Sequence, residues 1–313
     1  MEHLLFSVNI VLPLFLLLAI GYFLRMIKII DDVFVDKVSS FVYKFAMPVM
    51  LFYNIYTSDV RASFSPRIIV YAVAVTLVTV LLLCLIVPRF VKGNKTGVLI
   101  QAIFRSNFLL FATHIMASIY GNESLGETLV LVAVMAFVYN FCAVIVLAVY
   151  SDQTHALDKK KAMIDIAKNP LILGSVLGVV FALIGADLGT VVNGVLDDIS
   201  SLSTPLALIV LGGQFKFANA KKNGRYIAAA AFGKLIAAPV FVIGVAILLG
   251  FRGSDLGLML AMSASPTAVN SYIMAQQAGG DGKLAGEAVV FTSALSVVTI
   301  FLFVFALRSL GLL

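Results

Sequence analysis

Met262-Ser263-Ala264-Ser265-Pro266-Thr267-Ala268-Val269-Asn270-Ser271-Tyr272 sets a proline among small and polar residues, inside a run that is otherwise apolar. Leu256 to Ala261 precede it and Ile273-Met274-Ala275 follow it. Proline removes a backbone donor and its ring clashes with the preceding turn, so a helix passing through Pro266 must break there. In lipid, the freed carbonyls and N–H groups have no water to turn to. The broken segment must line a polar cavity or be covered by protein. The stretch therefore predicts a discontinuous helix in a membrane protein.

The rest of the chain agrees with that reading. Of 313 residues, 61% are hydrophobic and 12% charged, far too little polar surface for a soluble protein of this size. The apolar residues fall into runs of about 20, the length that crosses a hydrocarbon core roughly 30 Å thick. Ten spans are predicted, at 4–24, 34–56, 67–88, 97–120, 127–150, 169–187, 190–214, 226–250, 255–278 and 285–308. Met1-Glu2-His3 offers no basic leader region, so the first span is expected to be retained and not cleaved.

The two halves repeat. Pro13 to Pro48 and Pro170 to Pro205 are both separations of 35 residues, and Gly21 and Gly178 each follow the first proline by eight. Ile115-Met116-Ala117 and Ile273-Met274-Ala275 recur at nearly matching distances, each followed by a Gly-Glu pair, Gly126-Glu127 and Gly286-Glu287. The organisation expected is a first five-helix repeat over 1–150, a cytoplasmic linker over 151–168 and a second repeat over 169–313. Lys and Arg number fifteen in the odd-numbered loops against four in the even loops and termini. This bias places the odd loops in the cytoplasm and both termini outside, in a multi-pass protein of the cell membrane. Five spans per copy is an odd number, so the second copy is inverted, the arrangement of many alternating-access carriers. The fold class expected is all-α polytopic, with ten transmembrane helices in two inverted repeats and broken crossing helices 4 and 9.

The segment of the fourth span that matches the opening stretch is Arg105-Ser106-Asn107-Phe108-Leu109-Leu110-Phe111-Ala112-Thr113-His114, polar at membrane depth but without proline. Two half-helices whose N-termini meet near the midplane concentrate partial positive charge and unpaired N–H groups, a match for an anion. Neither stretch holds an acidic residue, which argues against a carboxylate-caged sodium site there and against a cationic substrate.

The run Pro266 to Tyr272, with Gly279-Gly280-Asp281 and the helix from Gly286, resembles the auxin efflux carrier family. So do Phe104-Arg105-Ser106-Asn107, Ala46-Met47-Pro48 and Asn169-Pro170-Leu171-Ile172. The resemblance covers the whole chain. It implies a ten-helix fold similar to bile acid symporters, with spans 1, 2, 6 and 7 as a scaffold, often dimeric, and the others as a moving transport domain. It also implies a small organic anion as substrate, such as malate, malonate or an auxin-like carboxylate. One departure stands out: the family places a proline in the fourth-span crossover, where this chain has Thr113-His114.

Candidate site residues follow from both lines of reasoning. Asn107 and Asn270 lead, since an amide donates to a carboxylate and also accepts from freed backbone N–H groups. Pro266 is architectural, and Thr267, Ser271, Thr113 and Tyr272 offer hydroxyls. His114 is a candidate proton-coupling group, because imidazole changes charge near neutral pH. Arg105 is placed to pair with an anion or with freed carbonyls. Lys234 reads as a snorkelling interfacial lysine, whereas Lys44 lies midway along its span. Glu127 and Glu287 read as complements to helix N-terminal dipoles.

These features point to a secondary carrier of a small organic anion, of elevator type, with proton coupling as one option. An anion channel, a passive uniporter or a sodium-coupled symporter are the alternatives. No Walker motif, HExxH or Gly-x-Ser-x-Gly occurs, so neither an ATP-driven pump nor an enzyme is expected. Cys84 and Cys142 have no metal or disulfide spacing. No cofactor, metal or nucleic-acid partner is expected; the expected partners are the organic anion, the bilayer and a second copy through the scaffold.

Overall fold

The computed structural model describes residues 2–57, 65–121, 124–150, 164, 168–215 and 222–313, with side chains from Leu12 onward. The predicted linker over 151–168 lies almost entirely outside the described residues. Those residues are helical throughout, and the sole β-type pairing among them is a single bridge, Ser106 to Thr267.

In chain order the helices are α1 (Glu2–Met26), α2 (Asp32–Tyr56), α3 (Pro66–Arg89), α4a (Lys95–Phe104), α4b (Phe108–Tyr120) and α5 (Leu125–Val149). The second half has α6 (Pro170–Ile184), α7 (Gly189–Gln214), α8 (Gly224–Leu248), α9a (Gly253–Ala264), α9b (Ser271–Gln277) and α10 (Gly282–Ser309). Six of them, α2, α3, α5, α7, α8 and α10, are long and apolar enough to cross a membrane. The chain is thus a multi-pass membrane protein, and its helices lie where the sequence predicts spans.

Local chemistry sets the ends. Asp31 caps α2 by accepting from Phe34 N–H, Asn169 caps α6 ahead of Pro170, and Asp281 caps α10 by accepting from Leu284 N–H. Gly185 ends α6 in the left-handed conformation at φ 65°, where a side chain would be strained. Because Asp281 takes the cap, Glu287 is not the N-terminal dipole partner expected. It lies buried in α10 and accepts from Asn223 Nδ2 at 2.7 Å.

Pro48 and Pro239 leave their marks differently. Each lacks the N–H that would close the preceding turn, and the helix responds with a wider π-turn over Val42–Ala46 and Gly233–Ala237. Pro13 and Pro205, by contrast, sit inside helices that continue through them.

Helices α1, α2, α6 and α7 pack as one group, α1 mainly on α7 and the second half of α2 on α6. Both crossings depend on glycine. A Cβ on Gly21 would sit 2.0 Å from the Ile209 carbonyl oxygen, and one on Gly178 would sit 2.8 Å from that of Phe52. Gly174 and Gly212 permit the same close approach, to Pro48 and Leu18 respectively. The other helices surround the α4 and α9 breaks, with α9a packed on α8 and α4b, and α4a on α5.

Candidate functional site

The two interrupted helices meet at their interruptions. Arg105 leaves α4a with φ −81° and ψ 108°, and Asn107 stands at ψ 49° before α4b begins. The fourth helix is therefore broken without the family proline. What replaces proline is a pairing with the other break: Asn107 N–H donates to the Pro266 carbonyl at 2.7 Å, and Ala268 N–H donates to the Arg105 carbonyl at 3.2 Å. This reciprocal pair satisfies backbone groups from both breaks at once, as burial away from water requires.

Side chains complete the accounting at the C-terminal ends of α4a and α9a. Thr267 Oγ1 donates to the Ala102 carbonyl at 2.7 Å, Ser106 Oγ to that of Met262 at 2.5 Å, and Ser265 Oγ to that of Ala261 at 2.5 Å. Lys234 Nζ donates to the Ser263 carbonyl at 3.2 Å and to Ser106 Oγ at 2.5 Å. Thr292 Oγ1 accepts from Thr267 N–H at 3.2 Å. The orphan carbonyls of helix C-termini thus find hydroxyls and one ammonium.

Two buried cations flank the crossing. Arg105, 4% exposed, donates to Asn140 Oδ1 at 2.7 Å and to Ser271 Oγ at 3.3 Å. Lys234 is 1% exposed. Its reading as a snorkelling lysine is overturned: Gly233 packs on Ile103 of α4a, which sets α8 close enough for Lys234 to turn inward. Lys44 is instead exposed. Neither Arg105 nor Lys234 pairs with a carboxylate among the described residues; the ion pairs there are Arg25–Asp32 and Lys95–Asp281.

Beside the crossing lies a cavity of about 70 Å³, lined at its polar end by Arg105, Ser106, Asn107, Asn140 and Asn270. Met50 and Leu51 of α2 and Thr204 of α7 close it from the other helix group. Phe108, Leu109 and Leu110, the first turn of α4b, also face it, and first-turn N–H groups have no partner within their own helix. Asn107 Nδ2 and Asn270 Oδ1 are buried without a protein partner among the described residues. A buried amide so placed favours a ligand or water that supplies the missing bond.

Of the residues expected from sequence, Arg105, Asn107 and Asn270 converge on this cavity, while Pro266 and Thr267 build the bridge and Ser271 holds Arg105. Tyr272 turns away, and its hydroxyl donates to Gln214 Oε1 at 2.5 Å. Gln214 lines a second cavity of about 380 Å³, shared with Arg25, Asp32, Gln276 and Lys283. Thr113 is half-buried and His114 exposed, with Nδ1 2.9 Å from the Leu110 carbonyl, so neither reaches the smaller cavity. Sequence reasoning missed Lys234, Asn140 and Thr292. Gly233 beside Lys234 and Pro239 five residues on were the available signal for the first; Lys44, by comparison, follows Tyr43 and precedes Pro48 by four.

The family model described as membrane transport protein matches residues 6–304, and the chain belongs to that family, the one its sequence resembles. An uncharacterised transporter of Methanothermobacter thermautotrophicus is 20% identical over 297 residues, covering 94% of this chain and 96% of the relative. An uncharacterised transporter of Methanocaldococcus jannaschii is 22% identical over 303 residues, covering 93% and 96%.

Proposed function

We propose that this member of the membrane transport protein family is a secondary carrier of a small organic anion, a mono- or dicarboxylate, bound at the crossing of α4 and α9. One observation carries the reading. A buried cation, Arg105, lines the cavity at the crossing without a carboxylate partner among the described residues. Buried charge is costly unless it is paired. An anion in the adjoining cavity would supply the missing counter-charge, with Asn107 Nδ2 donating to it.

The position of the cavity supports an elevator-type reading. It sits between the α1, α2, α6 and α7 group, as scaffold, and the helices around the crossing, as transport domain. Movement of the second group past the first would carry the anion across, in the manner of an elevator. The matched glycine contacts, Gly21 with Ile209 and Gly178 with Phe52, join positions related by the internal repeat, since Ile209 and Phe52 each lie four residues beyond Pro205 and Pro48. They support the reading of ten spans in two inverted five-helix repeats. On the charge bias of the loops, the cell membrane is the location, both termini lie outside, and the larger cavity beside Gln214 opens inward. The exposed apolar faces of α6 and α7, including Leu183, Ile184 and Val191, suit lipid or a second copy of the scaffold.

Uptake of labelled carboxylates into vesicles tests the proposal. Carrier behaviour requires saturable uptake and acceleration by unlabelled carboxylate on the far side. Flux that neither saturates nor responds to counter-substrate would favour a channel.

A further inference from the structure

Lys234 does a job at the crossing that cations perform at helix C-termini. Carbonyls at the end of α9a carry partial negative charge directed along the helix axis. Lys234 Nζ meets the Ser263 carbonyl directly and the Met262 carbonyl through Ser106, whose hydroxyl accepts from the ammonium and donates onward. That same Ser106 forms the bridge with Thr267 and lines the anion cavity. Thr76, Thr79 and Tyr139 bring hydroxyls to a void of about 20 Å³ beside the ammonium, room for about one water, whose other walls include Phe104, Ala238 and Val242. A carbonyl and a hydroxyl oxygen in contact with the positive charge, with further hydroxyls across the void, are oxygen ligands of the kind a small monovalent cation takes.

We propose that the Lys234 ammonium is a resident cation of the crossing, standing where a mobile monovalent cation would otherwise bind, so that carboxylate binding requires no sodium. The sodium-coupled alternative then has no place at this position, because the protein supplies the charge covalently. The part concerning carboxylates rests on the carrier reading above; the part concerning the cation does not.

Thermal unfolding of the purified full chain in sodium, potassium and choline salts of equal ionic strength tests the cation part. The wild type should melt at one temperature in all three. Lys234→Ala should melt several degrees lower and recover in propylammonium, which replaces the missing atoms and charge, but not in 1-propanol. Stabilisation of the wild type by sodium over choline overturns the proposal, and so does equal recovery in 1-propanol, which would make Lys234 a packing residue. Where Lys234→Ala does not fold, Lys234→Met decides. About tenfold weaker carboxylate binding or more supports the proposal, and wild-type stability with wild-type binding overturns it. A wild type that binds no carboxylate yet shows the cation pattern would defeat the carrier reading and leave the resident cation standing.

Discussion

Gly21 on α1 and Ile209 on α7 touch backbone to backbone, so that a Cβ on Gly21 would sit 2.0 Å from the Ile209 carbonyl oxygen. Gly178 on α6 stands in the same relation to Phe52 on α2. Water drives no association between apolar helices in lipid, so close backbone packing through small residues holds such pairs together.

Gly21→Ala and Gly178→Ala should each force their helix pair apart. Overpacking of this kind costs about 1–3 kcal/mol or more, and the tighter Gly21 contact should show the larger loss. Melting temperatures of the two variants check this. Gly194→Ala, with open space around its Cβ, serves as control and should melt with the wild type.

Thr267→Val should weaken the crossing without removing bulk. It deletes the donor to the Ala102 carbonyl while keeping the β-branched shape. An unsatisfied buried acceptor costs about 1–3 kcal/mol, so Thr267→Val should lower the melting temperature and Thr267→Ser should restore it. Equal stability of Thr267→Val and wild type would show that Ala102 finds another donor.

His114→Gln should leave transport and its pH dependence as in the wild type. The imidazole lies on the exposed face of α4b, bound locally to the Leu110 carbonyl, and does not line the cavity beside the crossing. Uptake measured across a pH gradient for both proteins checks this. Loss of proton dependence in the variant would restore His114 to the mechanism.

Much of the architecture was legible in the order of residues. Apolar runs and their polar breaks located the described helices to within a few residues, because span length is fixed by bilayer thickness. Pro266 announced the ninth break. The fourth break was harder to read, since its cause is tertiary: Asn107 and Arg105 pair with Pro266 and Ala268, more than 150 residues away. Side-chain direction was the other blind spot. Hydropathy treats Lys44 and Lys234 alike, yet one is exposed and the other buried, because packing of Gly233 on Ile103 sets the rotation of α8. Glu287 misled for a similar reason, the cap having been taken by Asp281 at the preceding turn.

On the proposed function, the crossing binds a small carboxylate through the buried charge of Arg105. Equilibrium binding of a panel of mono- and dicarboxylates and of organic cations, to wild type and Arg105→Gln, tests it most directly. The glutamine retains donors for Asn140 and Ser271 while removing the charge. At least one carboxylate should bind the wild type, no organic cation should bind more tightly, and Arg105→Gln should lower carboxylate affinity by about tenfold or more, as loss of a charge-assisted bond worth about 1.5–3 kcal/mol requires. A cation preferred over every carboxylate, or carboxylate binding unchanged in Arg105→Gln, would contradict it.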